Sequence, residues 1–141
     1  MTEDAARAES LLIEALEADL FNGNAHNNLG VLHLERGELY EAATRFEMAR
    51  KLMPDHPDPR LNLAITYERA GRIEEAMRSY EGALACAPGH LPTLKARARC
   101  QVRHGRVDET TAGSLREIAL RGDATWRAWA QAWLLKIESG S

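Results

Sequence analysis

Apolar residues recur at spacings of three and four along almost the whole chain, the period of one face of an α-helix, and glycines and prolines interrupt them at regular intervals. The pattern predicts eight helices, over residues 3–19, 24–36, 39–52, 57–70, 73–86, 91–104, 107–121 and 123–138, and no strand. Gly37, Gly71 and Gly105 fall between paired helices, where the chain must turn through a left-handed conformation that only glycine adopts without steric cost. Pro54 and Pro88 stop the second helix of a pair, whereas Pro57, Pro59 and Pro92 suit the first turn of the next.

The pattern is also periodic in identity. Displaced by 34 positions, Asn28 meets Asn62, Leu29 meets Leu63, Gly37 meets Gly71, Ala42 meets Ala76, Ala49 meets Ala83, Pro54 meets Pro88 and His56 meets His90. Gly30 with Ala64, Val31 with Ile65 and Phe46 with Tyr80 are conservative pairs in the same register. A third copy is weaker, with Gly105-Arg106-Val107 repeating Gly71-Arg72-Ile73. Each copy is therefore a helix hairpin. Small residues at Gly30, Ala42, Ala49, Ala64, Ala76 and Ala83 let the helices approach, with Phe46 and Tyr80 filling the space between.

These residues resemble the tetratricopeptide repeat, a 34-residue hairpin with the pattern W-x2-L-G-x2-Y, then A-x3-F, then A and P. Residues 23–56 carry Leu29-Gly30, Ala42, Phe46, Ala49 and Pro54, with His26 and His33 where the family places aromatics. Residues 57–90 carry Leu63-Ala64, Tyr67, Ala76, Tyr80, Ala83 and Pro88. Residues 3–22 look like the second helix of a preceding repeat, 91–122 a degenerate third copy, and 123–138 a terminal first helix through Trp126, Trp129-Ala130 and Trp133. The resemblance implies an all-α fold, a right-handed α-solenoid whose concave groove is lined by first helices, and a single array over 1–141.

What the resemblance implies about function is a non-catalytic protein–protein interaction module that holds an extended peptide or a partner helix in that groove. An asparagine at the sixth position of such a repeat bonds the backbone of an extended ligand, and Asn28 and Asn62 occupy that place, each carrying both a donor and an acceptor. Asn24 and Asn27 read instead as helix-start residues, capping or solvated, although Asn27 also falls on the groove side. The other expected groove residues are Val31, Leu61, Ile65, Lys95, Arg99, Arg103 and Arg127. Lys95, Arg99 and Arg103 repeat every fourth residue on one helix face, where like charges repel unless an anion joins them. They point to acidic residues or a free C-terminus on the ligand, because guanidinium pairs with carboxylate bidentately. The alternative at these positions is a solvated basic stripe. The two-carboxylate clamp of chaperone-binding relatives is not reproduced, since Asn27, Val31, Pro92 and Ala96 stand where its residues belong.

Two further features stand out. Arg97 replaces the leucine of earlier copies and Glu117 replaces their alanine, so either these charges pair or the third hairpin is loose enough to leave them in water. Trp126, Trp129 and Trp133 lie on one helix face and read as a cap on the preceding hairpin. In the other reading Trp126, Trp133 and Leu134 form a self-association surface, making the chain a structural adaptor that assembles as a homo-oligomer through its terminal helices; Leu12, Leu16 and Leu20 would be the corresponding open face at the other end. Such open ends suggest a segment of a longer array.

Composition narrows the rest. A net charge of −3 and a pI near 6.0 give no global basic footprint for nucleic acid, and no apolar run is long enough for a membrane span. The acidic start is unlike a secretory signal, so the expected location is cytoplasmic. Cys86 and Cys100 lack metal-ligand or disulfide spacing, and the five histidines form no paired-ligand motif. No nucleophile or phosphate-loop motif is present either, so neither catalysis nor a cofactor or metal is expected.

Overall fold

The computed structural model describes residues 2–140 and holds eight helices and no strand among them. They are α1 (Glu3–Ala18), α2 (Gly23–Glu35), α3 (Leu39–Leu52), α4 (Pro57–Arg69), α5 (Ile73–Cys86), α6 (Leu91–Arg103), α7 (Glu109–Arg121) and α8 (Ala124–Glu138). They fall into two compact units, Met1–Ala87 with α1 to α5 and Pro88–Ser141 with α6 to α8.

The helix ends follow from local chemistry. Gly37, Gly71 and Gly105 have φ of +75°, +77° and +66°, and the residue after each sends its N–H five residues back, to the carbonyls of His33, Tyr67 and Gln101. This C-terminal motif, found three times at the same repeat position, ends α2, α4 and α6. At the other ends, the side chains of Asn22, His56 and Asp123 accept from Ala25 N–H, Asp58 N–H and Trp126 N–H. Asn22, not Asn24 or Asn27, is thus the cap of α2; Asn24 is exposed to solvent, as one of its two expected readings has it, whereas Asn27 is half-buried and accepts from Asn62, which corrects the expectation for that residue. The start of α7 is later than expected because Asp108 caps it, in a reciprocal box with Thr111.

In the first unit, α2 pairs with α3 and α4 with α5, while α3 packs on α4 and α1 on α2. Leu34, Ala42, Phe46 and Leu63 form one core cluster, flanked by Val31, Ile65 and Tyr67. Leu16, Ala25 and Leu29 form a second, between α1 and α2. The approach of α2 to α3 depends on Gly30: a Cβ there would lie 2.5 Å from Phe46 Cε1. In the second unit α7 packs on both α6 and α8. Its core is Ala98, Leu115, Ile118 and Ala130, with Trp126, Trp129, Trp133, Leu134 and Ile137 packed against it.

Candidate interaction surfaces

In the first unit, the first helices α2 and α4 meet through two carboxamides. The Asn62 Nδ2 donates to Asn27 Oδ1 at 3.1 Å, and both side chains are half-buried. Asn62 therefore pairs inside the repeat, while Asn28, its equivalent one period earlier, is exposed. Asn28 borders a cavity of about 390 Å³ between α1 and α2, lined also by Ala8, Leu11, Leu12, Val31 and Leu32. Val31 and Ile65 are half-buried against the core, and Leu61 is buried outright, so Leu61 contributes packing and not open surface.

In the second unit, Lys95 and Arg99 meet the same aromatic ring. Lys95 Nζ lies 5.3 Å and Arg99 Cζ 5.7 Å from the Trp126 ring centroid, and Trp126 in turn meets Trp129 edge to face, with centroids 5.3 Å apart. Among the described residues neither cation has a carboxylate partner. Arg103 is exposed at the end of α6, and exposed Arg127 donates to the Gly122 carbonyl at 3.4 Å. Trp133 and Leu134 face inward, with Lys136 Nζ 4.8 Å from the Trp133 ring. All three tryptophans thus take part in packing this unit.

Arg97 and Glu117 border one cavity but go to different partners. Arg97 is buried and donates to Ser114 Oγ at 2.9 Å, while the exposed Glu117 faces Arg121 at 3.6 Å. Besides the Ser114 hydroxyl, the buried Arg97 guanidinium is felt electrostatically by the Asp108 carboxylate; in the same hairpin Gln101 Nε2 donates to Thr110 Oγ1 at 3.0 Å, and Thr111 and Ser114 are buried. The hydroxyl of Thr110 and the N–H groups of Thr110 and Thr111 hold the Asp108 carboxyl below its ordinary pKa.

Several polar features had no sequence signal. Buried His26 bonds the Leu20 carbonyl through Nε2 at 2.8 Å and receives Arg45 at Nδ1 at 3.4 Å, so a position the repeat gives to an aromatic here ties α2 to α3 and to the preceding turn. Glu9 on α1 pairs with Arg36 at the end of α2, and the guanidinium lowers the carboxyl's pKa. Arg50, Arg60 and Arg78 line a mixed-charge cavity of about 260 Å³ with Glu47 and Glu75. No helix among the described residues is long and apolar enough to cross a membrane.

Comparison with known proteins agrees with these hairpins. Residues 21–89 match the family described as tetratricopeptide repeat. Superkiller complex protein 3 of Mus musculus is 29% identical over 102 residues, which cover 72% of this chain and 6% of that protein. Tetratricopeptide repeat protein 8 of Caenorhabditis elegans is 34% identical over 74 residues, covering 52% and 14%. The chain spans a small part of either relative. Among solved structures, the crystal structure of MamA aligns with a TM-score of 0.71 over 80% of this chain and 68% of that one, at 20% identity, a likeness of fold alone.

Proposed function

Residues 21–89 of this chain are tetratricopeptide repeats, a scaffold for protein–protein interaction, and we propose that the chain binds an extended, acidic segment of a partner protein on the exposed faces of its first helices. The observation that carries this reading is the pair of cations over Trp126. A lysine and an arginine brought to one indole with no acid between them repel each other, and a ligand carboxylate relieves that repulsion while the ring offers its apolar face. The residues of the second unit, 88–141, add to this with nine Lys and Arg against five Asp and Glu.

The first unit supports the same mode through amides. With Asn62 Nδ2 engaged by Asn27 Oδ1, the Asn27 amide donor and the Asn62 carbonyl remain to meet one C=O and one N–H of an extended backbone. The backbone-bonding pair is then Asn27 with Asn62, and not Asn28 with Asn62.

Tryptophan occurs only in the second unit, so intrinsic fluorescence reports this surface directly. Titration with a peptide of alternating Glu and Ala should perturb the emission, and raising salt should weaken binding. Arg99→Glu or Lys95→Glu should lower the affinity by about tenfold or more, roughly 1.4 kcal/mol. Affinity and salt dependence equal to wild type in both variants would remove the acidic-ligand reading.

A further inference from the structure

We infer that the cavity between α3, α4 and α5 of the first unit binds a phosphate monoester, held by Arg60 and Arg78. The internal repeat supplies the comparison, because Arg60 stands one period after His26. Both side chains reach back to the carbonyl six residues earlier, His26 Nε2 to Leu20 at 2.8 Å and Arg60 Nη2 to Pro54 at 3.4 Å, and so tie a first helix to the turn before it. In the first repeat Arg45 meets the other ring nitrogen of His26. In the second repeat Ser79 stands where Arg45 was, and Arg60 Nε lies buried with no hydrogen-bond partner. A buried donor left unbonded is costly, and the tie to the preceding turn does not require it. The place of Arg60 is fixed by α5: a Cβ on Gly82 would lie 3.3 Å from Arg60 Nη1.

The cavity also carries more positive charge than its own acids neutralise. Arg50 donates to Glu47 Oε2 through Nε at 3.2 Å and Nη2 at 2.8 Å. Glu75 pairs with Arg72, which lies 5.4 Å from the Tyr67 ring. Each acid of the lining therefore has its own guanidinium, and Arg60 and Arg78 are the two left over. Arg78 makes no ion pair among the described residues, although Glu74 and Glu81 stand four before and three after it on α5.

Two surplus guanidinium groups match one dianion. A phosphate monoester carries about −1.5 to −2 at neutral pH and offers three strong acceptor oxygens, where a carboxylate carries a single charge. The arginine fork suits such a group. Half-buried Ser79 and Tyr67 line the same cavity, and neither hydroxyl has a hydrogen-bond partner among the described residues. The volume of about 260 Å³ leaves room beside the phosphate for the group that carries it, against Leu63. The repeat itself does not call for these cations, since one period later Arg60 and Arg78 become Leu94 and Ala112. The site belongs to this hairpin and shares no residue with the cation pair over Trp126, so it stands apart from the acidic-ligand reading. The phosphate comes either on a phosphorylated side chain of a partner protein or as the free ion.

Isothermal titration calorimetry of the full chain at pH 8, in a phosphate-free buffer, tests the inference with three probes: an acetyl-Ala-phosphoserine-Ala-amide peptide, the same peptide with glutamate for phosphoserine, and inorganic phosphate. The phosphopeptide should bind, and the glutamate peptide should bind at least about tenfold more weakly, 1.4 kcal/mol. Inorganic phosphate that binds as tightly as the phosphopeptide, or more so, identifies the free ion as the ligand; weaker binding identifies a phosphorylated side chain. Arg78→Ala removes an exposed side chain, and Arg60→His restores the first repeat's residue with its bond to the preceding carbonyl, neutral at this pH. Each should lower phosphate affinity by about tenfold or more with circular dichroism unchanged, whereas Arg116→Ala, at an exposed position of the second unit, should not. A wild type that binds neither phosphate probe, or binding that survives in both cavity variants, would overturn the site. A glutamate peptide that binds as tightly as the phosphopeptide would overturn the dianion.

Discussion

Asn62 gives its side-chain amide to the carbonyl oxygen of Asn27 at 3.1 Å, joining the first helices of two successive repeats. The bond lies on half-buried surface, so its net worth is that of an ordinary intramolecular hydrogen bond, about 0.5–1.5 kcal/mol. Asn27→Ala and Asn62→Ala should each destabilise the first unit by that order, and the double variant should cost less than the sum. Urea unfolding followed by far-UV circular dichroism checks this; tryptophan emission does not, since it reads only the second unit. Additive single effects would mean the two amides do not meet in solution.

Gly30 sits against Phe46 so closely that an added Cβ would come within 2.5 Å of the ring. Gly30→Ala should therefore lower stability by roughly 1–3 kcal/mol, the usual range for overpacking, despite alanine's higher helix propensity. Phe46→Leu should recover part of that loss when combined with it, although alone it creates a void. The second repeat has Ala64 with Tyr80 at these positions, which shows that the hairpin accommodates a methyl group when its neighbours are arranged for it. A Gly30→Ala variant as stable as wild type would show that Phe46 moves aside freely.

The hairpins were legible in the sequence because independent signals coincide: a helical period and a left-handed glycine in all three, and a proline after the second helix in the first two. That agreement placed α3 and α5 at both ends and most other helices to within a residue or two. The polar contacts were not legible. Asn28 and Asn62 are identical in the repeat, yet Asn62 has α2 beside it and Asn28 has a cavity, a difference in neighbours that no residue records. Arg97 and Glu117 invited an ion pair by their places in the pattern, but Ser114 lies within reach of Arg97, and an i, i+4 partner, Arg121, draws Glu117 outward. Hydroxyl groups in a hairpin core follow no periodic rule, so such partners emerge only in three dimensions.

Two glycines separate backbone strain from packing. Gly71 has φ of +77° and Gly113 lies within α7, and a Cβ at either meets nothing within 4 Å. Gly71→Ala should cost about 1–2 kcal/mol, the left-handed penalty of an L-residue. Gly113→Ala should stabilise the second unit by up to about 1 kcal/mol through helix propensity. Thermal melts of the two variants should move in opposite directions. A shift in the same direction for both would assign the effect to contacts and not to conformation.

The pairing of Glu9 with Arg36 makes the attachment of α1 to α2 sensitive to acid. Hydrogen bonding from the guanidinium sets the folded-state carboxyl below the usual glutamate range, with the guanidinium's charge acting in the same direction. A carboxyl with a lowered folded pKa contributes stability that is fully present above its unfolded pKa and is lost as pH falls through the folded one. Arg36 stays protonated throughout, its own pKa raised chiefly by the same hydrogen bond. The protection factors of amides along α1, exchange rates corrected for the intrinsic pH dependence, should thus be high at neutral pH and fall once the solution is more acidic than the ordinary glutamate range, before those of the α2–α3 hairpin. Glu9→Gln should speed exchange in α1 at neutral pH and remove this part of the acid dependence. If the variant keeps the wild-type pH profile, the docking of α1 rests on Leu12, Leu16 and Leu29, and the ion pair has no part in it.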